Sequence, residues 1–337
     1  MTKEAIEKLE QWYLDNKRDL SFRKTRNPYH IYVSEVMLQQ TQVDTVIPYF
    51  DRFIVKYPTI TDLANAPIEE VLKMVEGLGY YRRFRNMHVA AKIIKDKYQG
   101  DFPKTYEAVL ALPGVGRYTA GAIMSIAYNE PYGAVDGNVI RVLSRFYGID
   151  LDMRKERNRK VIEKLNQENI ERATPWIYTQ ALMELGATLV THKNHKMHLS
   201  PLKDWCYATL NNRVDDFPFF SKLKSKKEMM YYVFIVNDGD CILLRRREEE
   251  LLHGMYEYIQ VESESLNYAL ESLENLGIVG NVTNNLGTYK HVFSHIVWHM
   301  NVYAVEAMEN RSDFIKVTLE ELKKLPMATA HKKIKVR

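Results

Sequence analysis

The chain has 337 residues, of which 46% are hydrophobic, and a formal net charge of only +4. This length suffices for two or three domains, and so small a charge excludes a chain that coats nucleic acid by charge alone. The two cysteines, Cys206 and Cys241, exclude a disulfide framework and suit a reducing compartment. Neither a signal-peptide pattern nor a run of roughly 18 apolar residues is present, so we expect a cytoplasmic protein, nucleoid-associated if bacterial, without membrane contact.

The first 210 residues show the apolar spacing of amphipathic helices, punctuated by Gly and Pro. Segments with this spacing are 44–57, 68–75, 86–98 and 157–169. Residues 211–229 lack a sustained period and carry Pro218 and a lysine-rich run, which predicts a linker.

Beyond the linker, the texture changes to short strand-like runs. We predict strands at 231–236 and 241–245 around the turn 237–240, a strand-rich region at 293–305, and a helix near 265–276. An α+β domain is therefore expected after the helical region.

The first stretch that contains a candidate catalytic residue, at 34–42, reads SEVMLQQTQ. We predict that it opens a helix, with Ser34 as the N-cap and Glu35 in the first turn among apolar neighbours. A carboxyl group in an apolar site has a raised pKa and stays protonated near neutrality, as a general acid must. The local sequence alone favours a different interpretation, that Glu35 merely complements the helix dipole.

A glycine hairpin between two helices is predicted at 112–121, which reads LPGVGRYTAG. Gly114 and Gly116 allow backbone angles closed to other residues, so that successive N–H groups face outward and suit a phosphate oxygen. Such a hairpin positions a nucleic-acid backbone without reading its sequence. Asp136, in the VDGN stretch that follows, turns this clamp into a candidate active site. The structural alternative is a tight turn with Asp136 as an N-cap.

These two stretches together resemble the helix-hairpin-helix and Gly/Pro–Asp motif of the DNA glycosylase superfamily, and within it the adenine glycosylases of the MutY family. SEVMLQQTQ is close to a fingerprint of that branch, and the resemblance extends over nearly the whole chain. It implies a multidomain protein with an all-α glycosylase region in two lobes and a C-terminal Nudix-like α+β domain. The implied bounds are 1–210 for the helical region (a six-helix lobe at 26–134, a second lobe from 1–25 and 135–210), 211–229 for the linker and 230–337 for the Nudix-like domain.

The resemblance also implies roles in catalysis. Glu35 would protonate the adenine leaving group at N7, Asp136 would stabilise the oxocarbenium-like species, and Asn138 would help to hold that site. Tyr118 stands where relatives resembling endonuclease III, which also cut the backbone, carry a lysine able to form a Schiff base. We therefore predict a monofunctional glycosylase with weak or no lyase activity.

Base removal requires the target nucleotide to leave the helix, so another group must fill the gap and hold the opposite base. By resemblance, these contacts come from Leu38, Gln40, Thr41, Leu78 and Tyr80. Arg23 matches a residue of the adenine pocket, whereas Phe22 stands where the family usually has Trp. For Tyr80 and Tyr81, core packing stays an alternative.

The stretch HVFSH at 291–295 is in isolation an ordinary strand start. In the C-terminal domain of adenine glycosylases, a Phe-Ser-His loop reads 8-oxoguanine, and the resemblance assigns that loop to Phe293, Ser294 and His295. Ser294 would contact the oxidised base. No Glu-rich Nudix box occurs between Gly254 and Gly280, so we do not expect this domain to hydrolyse a substrate itself.

Most family members hold an iron–sulfur cluster with four cysteines, and the resemblance places those ligands at Val190, Met197, Ser200 and Cys206. Because thiolates hold such clusters, we expect a member without the cluster and without another cofactor. We expect apolar packing to hold the loop instead.

Three histidines in the same loop, His192, His195 and His198, leave zinc as an alternative together with Cys206. Their spacing fits no common zinc pattern, and lysines lie between them. We therefore expect no metal.

The expected function is excision of adenine mispaired with 8-oxoguanine or guanine in duplex DNA by a monomer, which leaves an abasic site. One alternative is a bifunctional glycosylase–lyase for oxidised pyrimidines, against which Tyr118 and the C-terminal domain argue. The other is a mismatch-binding protein without catalysis, against which Glu35 and Asp136 argue.

Overall fold

The computed structural model describes residues 1–222 and 225–334. Residues 223–224 of the predicted linker and 335–337 of the predicted Nudix-like domain lie outside the described residues. By their contacts, Met1–Ala66 and Asn86–Lys222 form one compact unit, while Pro67–Arg85 belongs with the C-terminal residues in a second. Residues 211–222 of the predicted linker thus belong to the first unit, and the domain bounds given above stay predictions.

Helices account for the regular structure up to residue 210. They are α1 (Lys3–Asn16), α2 (Pro28–Leu38), α3 (Val43–Lys56), α4 (Ile60–Asn65), α5 (Ile68–Met74), α6 (Arg82–Tyr98), α7 (Tyr106–Leu110), α8 (Arg117–Tyr128), α9 (Gly137–Tyr147), α10 (Glu156–Ile170), α11 (Pro175–Thr188) and α12 (Tyr207–Leu210). The four predicted helices correspond to α3, α5, α6 and α10. Their bounds agree closely, except that α6 begins at Arg82 rather than at residue 86.

The prediction that Ser34 caps a helix is wrong. The helix α2 begins at Pro28, and Asn27 is its cap, with Oδ1 accepting the N–H of Tyr29 at 2.9 Å. Proline at the first helical position lacks an N–H that would have no helical partner there. Ser34 lies inside the helix, and its Oγ donates to the carbonyl of Ile31 at 2.9 Å.

An apolar core in the first unit joins the start of the chain to its later helices. Leu9 and Tyr13 of α1 are buried with Leu143 of α9 and with Tyr178 and Leu185 of α11. Burial of such side chains stabilises each by about 1.5–3 kcal/mol. The packing thus joins the first helix of the chain to helices that follow residue 135.

The second unit contains a mixed sheet. Its strands are β1 (Lys227–Asp238), β2 (Cys241–Arg246), β3 (Tyr256–Glu257), β4 (Ile259–Glu262), β5 (Ile278–Val292), β6 (Ile296–Asn310) and β7 (Ile315–Val317). The strand order is β3-β2-β1-β6-β5; β4 pairs with β1 and β7 with β2. β1 and β6 are parallel, whereas β5 and β6 are antiparallel.

Side chains of β1 alternate between two apolar cores, as the period of a strand requires. Val233 and Ile235 face one core, to which Ala330 of α15 (Thr329–Lys332) contributes. Phe234 faces the other, to which Leu273 of α13 (Leu266–Asn275) contributes. A further short helix, α14, spans Leu319–Leu322.

Most predicted elements of this unit are confirmed. β1 and β2 include the predicted strands, α13 lies within the predicted helix, and Asp238 pairs with Cys241 across the predicted turn. The sequence did not predict β5. The predicted strand-rich region 293–305 corresponds to β6, which begins at Ile296 because residues 293–295 form the turn from β5 to β6. Among the described residues, the helices are too short or too polar to cross a membrane.

Candidate active site

The first unit contains a cleft with a volume of about 590 Å³, which is within the range of small-molecule sites. Many of the residues predicted from the sequence line it. They are Arg23, Glu35, Leu38, Gln40, Thr41, Gly114, Gly116, Tyr118, Asp136 and Asn138. The structure therefore brings together residues that lie more than a hundred positions apart in the chain.

Glu35 lies in the last turn of α2, not in the first as predicted, and is 6% exposed. Burial raises its pKa to about 7, and the charge of Asp136 also raises it, against the hydrogen bond from Tyr118 and the charge of Arg23. The C-terminal end of a helix disfavours a negative charge, so Glu35 does not complement the helix dipole. A carboxyl group with this pKa retains a proton near neutrality and can act as a general acid.

The hydroxyl of Tyr118, in the first turn of α8, donates a hydrogen bond to Oε2 of Glu35. Burial raises the pKa of this hydroxyl far above its ordinary value, and the charges of Glu35 and Asp136 raise it further. Tyr118 is therefore a neutral hydrogen-bond donor at physiological pH.

Asp136 is the N-cap of α9, as the structural alternative for this residue predicted. Its Oδ1 accepts the N–H of Val139 at 2.7 Å, and its Oδ2 accepts Nδ2 of Asn138 at 2.7 Å. Burial raises the pKa of Asp136 above its ordinary value, although these hydrogen bonds and the charge of Arg141 oppose the shift. Asp136 thus caps the helix and also lines the cleft.

Arg141, which sequence reasoning missed, supports Asn138. Its Nη2 donates to Oδ1 of Asn138 and to the carbonyl of Gly186, both at 2.7 Å, and its Nε donates to the carbonyl of Val190 at 2.6 Å. A Cβ at Gly186 would lie 2.6 Å from that of Asn138, so α9 and α11 approach closely there. The spacing of three between Asn138 and Arg141 on a helix is the signal that predicts such a contact.

The cleft wall also contains an ion pair that the sequence did not reveal. Arg18 and Arg23 line the cleft, and both donate to the carboxylate of Glu184, which is fully buried on α11. Arg23 is therefore at the predicted cleft, but one of its guanidinium nitrogens is already bound by the protein.

The two hairpin glycines differ in conformation. Gly114 has a φ of +76°, and a Cβ there would lie 2.6 Å from Cβ of Asn86, so the turn needs glycine. Gly116 has a φ of −98° and a ψ of 177°, which any residue adopts, so the predicted need for special angles is wrong at this position. It is the N-cap of α8, where non-helical extended angles are the rule.

Leu78 and Tyr80 belong to the second unit. Leu78 is buried, whereas Tyr80 is 49% exposed and has a φ of +48°, and Gln40 of the first unit has a φ of +57°. Such angles are uncommon for residues other than glycine and often occur at functional sites. The core-packing alternative holds for Tyr81, which is buried and whose hydroxyl accepts the N–H of Gly77 at 2.9 Å.

The residues predicted to read the opposite base form the turn between β5 and β6, so they do not start a strand as expected from the local sequence. Ser294 and His295 are exposed, with Ser294 Oγ 3.2 Å from Nδ1 of His295. Phe293 packs edge-on against Trp298, with ring centroids 4.9 Å apart. The turn is therefore anchored by packed aromatic side chains, and it exposes polar side chains to solvent.

The residues at the expected cluster positions do not fit an iron–sulfur cluster. Val190, Met197 and Cys206 are buried in the apolar core of the first unit. Ser200 is also buried, and its Oγ accepts the N–H of Leu202 at 3.2 Å. One thiol, one thioether and two side chains without sulfur cannot supply the thiolates that hold such a cluster.

The histidines of the same loop have other surroundings. His195 lies 3.4 Å from the carboxylate of Asp215, and His192 and His198 are exposed. Within residues 1–222 and 225–334, the structure shows no group of three His, Cys, Asp or Glu side chains placed to hold a metal ion.

Comparisons with known proteins identify the family of each part of the chain. Residues 33–169 match the HhH-GPD superfamily base excision DNA repair proteins, and residues 231–336 match a NUDIX domain. The fold and the site together define a DNA glycosylase of this superfamily with a C-terminal Nudix-like domain.

The relatives specify the branch. An adenine DNA glycosylase of Buchnera aphidicola subsp. Baizongia pistaciae is 36% identical over 303 residues, which cover 86% of this chain and 82% of that protein. The adenine DNA glycosylase of Rattus norvegicus is 34% identical over 389 aligned positions, covering 96% and 75%. This chain belongs to the adenine DNA glycosylase family, as the sequence predicted.

Solved structures support the helical fold. A thermostable thymine-DNA glycosylase matches with a TM-score of 0.55 and 26% identity over 61% of this chain and 95% of that chain. An endonuclease III–DNA covalent intermediate matches with a TM-score of 0.53 and 24% identity, over 63% of this chain and 99% of the other, and shows the fold alone.

Proposed function

We propose that this protein excises adenine mispaired with 8-oxoguanine, or with guanine, from duplex DNA by hydrolysis of the N-glycosidic bond. The observation that carries the proposal is the pair of carboxyl groups, Glu35 and Asp136, which line one cleft in contrasting environments. Such a contrast assigns the acid and the carboxylate in enzymes that break glycosidic bonds. The name shared by the relatives, adenine DNA glycosylase, supports adenine as the base.

Glu35 supplies the proton. Its carboxyl group gives it to N7 of the flipped adenine, and the electron pair of the bond between the base and the sugar leaves with the base. Tyr118 holds Glu35 through its hydrogen bond to Oε2. The proton therefore comes from a group that burial keeps protonated near neutral pH.

Asp136 stabilises the positive charge that develops on the sugar. It is the more suitable carboxylate, because it accepts two hydrogen bonds and lies at the positive end of α9. Water then adds to the sugar and an abasic site remains.

The reaction ends without strand cleavage. An amine would have to attack the sugar carbon to form a Schiff base, and Tyr118 occupies the position where the lyases have lysine. The hydroxyl of Tyr118 is neutral and hydrogen-bonded to Glu35, which supports this proposal because such a group does not form a Schiff base.

We assign the contacts around the opposite base to the residues that the sequence predicts for them. Ser294 contacts 8-oxoguanine from the exposed β5–β6 turn, flanked by Phe293 and His295. The gap and the partner base are held by Leu38, Gln40, Thr41, Leu78 and Tyr80. The enzyme acts as a monomer on duplex DNA and needs no iron–sulfur cluster, because apolar side chains already fill that loop.

A single-turnover assay tests the proposal with duplexes that carry adenine opposite 8-oxoguanine, guanine or thymine. Each reaction is read with and without alkali, which cleaves abasic sites. We expect alkali-dependent cleavage of the adenine strand, fastest opposite 8-oxoguanine and absent opposite thymine. Cleavage without alkali would indicate a lyase, and tight binding without cleavage would indicate a protein that only recognises the mispair.

A further inference from the structure

Glu184 is the most completely paired carboxylate behind the cleft. It is 0% exposed, and it does not itself line the cleft. Its Oε1 accepts the backbone N–H of Arg18 at 3.2 Å and Arg18 Nε at 2.7 Å, and its Oε2 accepts Arg18 Nη2 at 2.9 Å and Arg23 Nη1 at 2.6 Å. Four donors thus use the lone pairs that two carboxylate oxygens offer.

The charge of Glu184 is essential to this arrangement. Burial alone would raise its pKa, but the hydrogen bonds and charges of Arg18 and Arg23 hold the pKa below its usual range. A buried ion pair of this kind is costly to break, because the remaining partner stays buried without compensation. The two arginines and the carboxylate together carry a net charge of +1.

The contacts tie one wall of the cleft to α11. The segment between α1 and α2 supplies Arg18, Leu20, Phe22 and Arg23 to the cleft, and it has only a short 3-10 turn at Ser21–Arg23. The guanidinium of Arg23 also lies 5.8 Å from the ring centroid of Tyr13. Without Glu184, nothing else among the described hydrogen bonds fixes the guanidinium groups of these two arginines.

We propose that Glu184 is a positioning residue for base excision: it orients Arg18 and Arg23 in the wall of the cleft that Glu35 also lines, and it offsets their charge. This inference rests on the proposed function. Among the described residues, the groups whose charges or hydrogen bonds act on the pKa of Glu35 are Tyr118, Asp136 and Arg23, of which Arg23 is the cation. Glu184 therefore controls how strongly the positive charge in the wall favours ionisation of the acid.

Three variants separate this role from simple support of the fold. Glu184→Gln keeps the size of the side chain but raises the net charge of the cluster to +2. Arg23→Gln lowers it to zero, and the double variant restores +1. The measured quantities are the single-turnover rate of adenine excision and the pH at which it falls to half on the basic side. Glu168→Gln, an exposed partner of Lys164 on α10, is the matched control.

We expect Glu184→Gln to slow excision about 10–100-fold, because misplaced wall residues disturb the position of the base. Its basic midpoint should move to lower pH by about half a unit or more, since an uncompensated cation favours ionised Glu35. Arg23→Gln should move the midpoint to higher pH, the double variant should return it close to the parent value, and Glu168→Gln should leave it unchanged. Equal midpoints in all variants, with only the rates altered, would overturn the proposal.

A second readout does not depend on the substrate. The pKa of Glu35 can be followed by NMR of protein labelled with ¹³C at glutamate carboxyl carbons, with Glu35→Gln identifying the signal. The same order of pKa values, lowest in Glu184→Gln and highest in Arg23→Gln, is expected in the free protein. If the parent protein does not excise adenine, the proposed function fails, whereas equal pKa values of Glu35 in the parent and in all variants overturn the role of Glu184. Should Glu184→Gln not fold, Glu184→Asp decides, since it keeps the charge and shortens the side chain: excision should slow while the pKa of Glu35 stays near the parent value, and an unchanged rate contradicts the proposal.

Discussion

At the scale of single residues, two carboxyl groups in one cleft differ because of what surrounds them. Glu35 has one hydrogen-bond donor, a tyrosine hydroxyl, and lies at the negative end of α2. Asp136 has two donors and lies at the positive end of α9. The surroundings therefore keep Glu35 as an acid near neutral pH, whereas around Asp136 the hydrogen bonds oppose the rise in pKa that its burial causes.

The pKa of Glu35 sets the expected pH dependence of adenine excision. Because burial raises the pKa of Glu35 to about 7, the acid is protonated below that value and ionised above it. Single-turnover excision of adenine should therefore decrease tenfold per pH unit well above pH 7. A rate that stays constant between pH 6 and pH 9 on intact, folded enzyme would show that Glu35 does not deliver the proton.

At the scale of elements, the hydrogen bonds of Arg141 connect α9 to the end of α11. Arg141→Met should leave the carbonyls of Gly186 and Val190 without this donor and free the side chain of Asn138. We expect unfolding free energy to fall by about 1–3 kcal/mol. The rate of excision should fall as well, because Asn138 helps to hold Asp136.

Thermal unfolding and single-turnover kinetics check this prediction. Arg157→Met, an exposed position on α10, is the control and should change neither quantity. An Arg141→Met protein with the stability and rate of the parent would rule out this connection.

The elements also show what the sequence can predict. Helices such as α3 and α10 have one buried face, so their apolar spacing predicts them. The start of α2 was misplaced because the helix is apolar on nearly all sides, and only Asn27 followed by Pro28 marks its beginning. β5 was missed because it is a polar edge strand with three irregularities in its pairing, which hide the alternation.

For the active site, the resemblance to a family predicted the residues that line the cleft, but not those that support them. Glu184 meets Arg18 across 166 positions of the chain, and no local pattern marks such a contact. Arg141 follows Asn138 at helical spacing, so this contact could have been predicted once α9 was known.

At the scale of the whole molecule, two units divide the proposed task. The cleft lies in the first unit, and the turn predicted to read 8-oxoguanine lies in the second. A family model matches each part separately. We therefore expect a change in this turn to alter selection of the opposite base while the chemistry in the cleft is retained.

Removal of the Ser294 hydroxyl tests this division. Ser294→Ala should reduce the preference for 8-oxoguanine over guanine in excision rate and affinity, while adenine opposite guanine is still excised at the parent rate. Thr288→Ala, an exposed hydroxyl on β5, is the control. An unchanged preference in Ser294→Ala would remove Ser294 from this role.

The metal content of the purified protein tests the expected absence of an iron–sulfur cluster. Since the cluster positions hold Val190, Met197, Ser200 and Cys206, purified protein should contain no stoichiometric iron or zinc. Treatment with a chelator should leave excision and the unfolding temperature unchanged. Metal that survives dialysis at one equivalent or more, together with loss of activity on its removal, would contradict this prediction.

The role of Glu35 as the acid is tested most directly by comparing the parent enzyme with Glu35→Gln on a duplex that carries adenine opposite 8-oxoguanine. The amide has the shape of the acid, but its N–H protons are too weakly acidic to be transferred to adenine, so single-turnover excision should fall by at least about 10²-fold while the affinity for the duplex is retained. Glu168→Gln should excise at the parent rate. Excision by Glu35→Gln at a rate close to that of the parent would contradict the assignment of Glu35 as the acid.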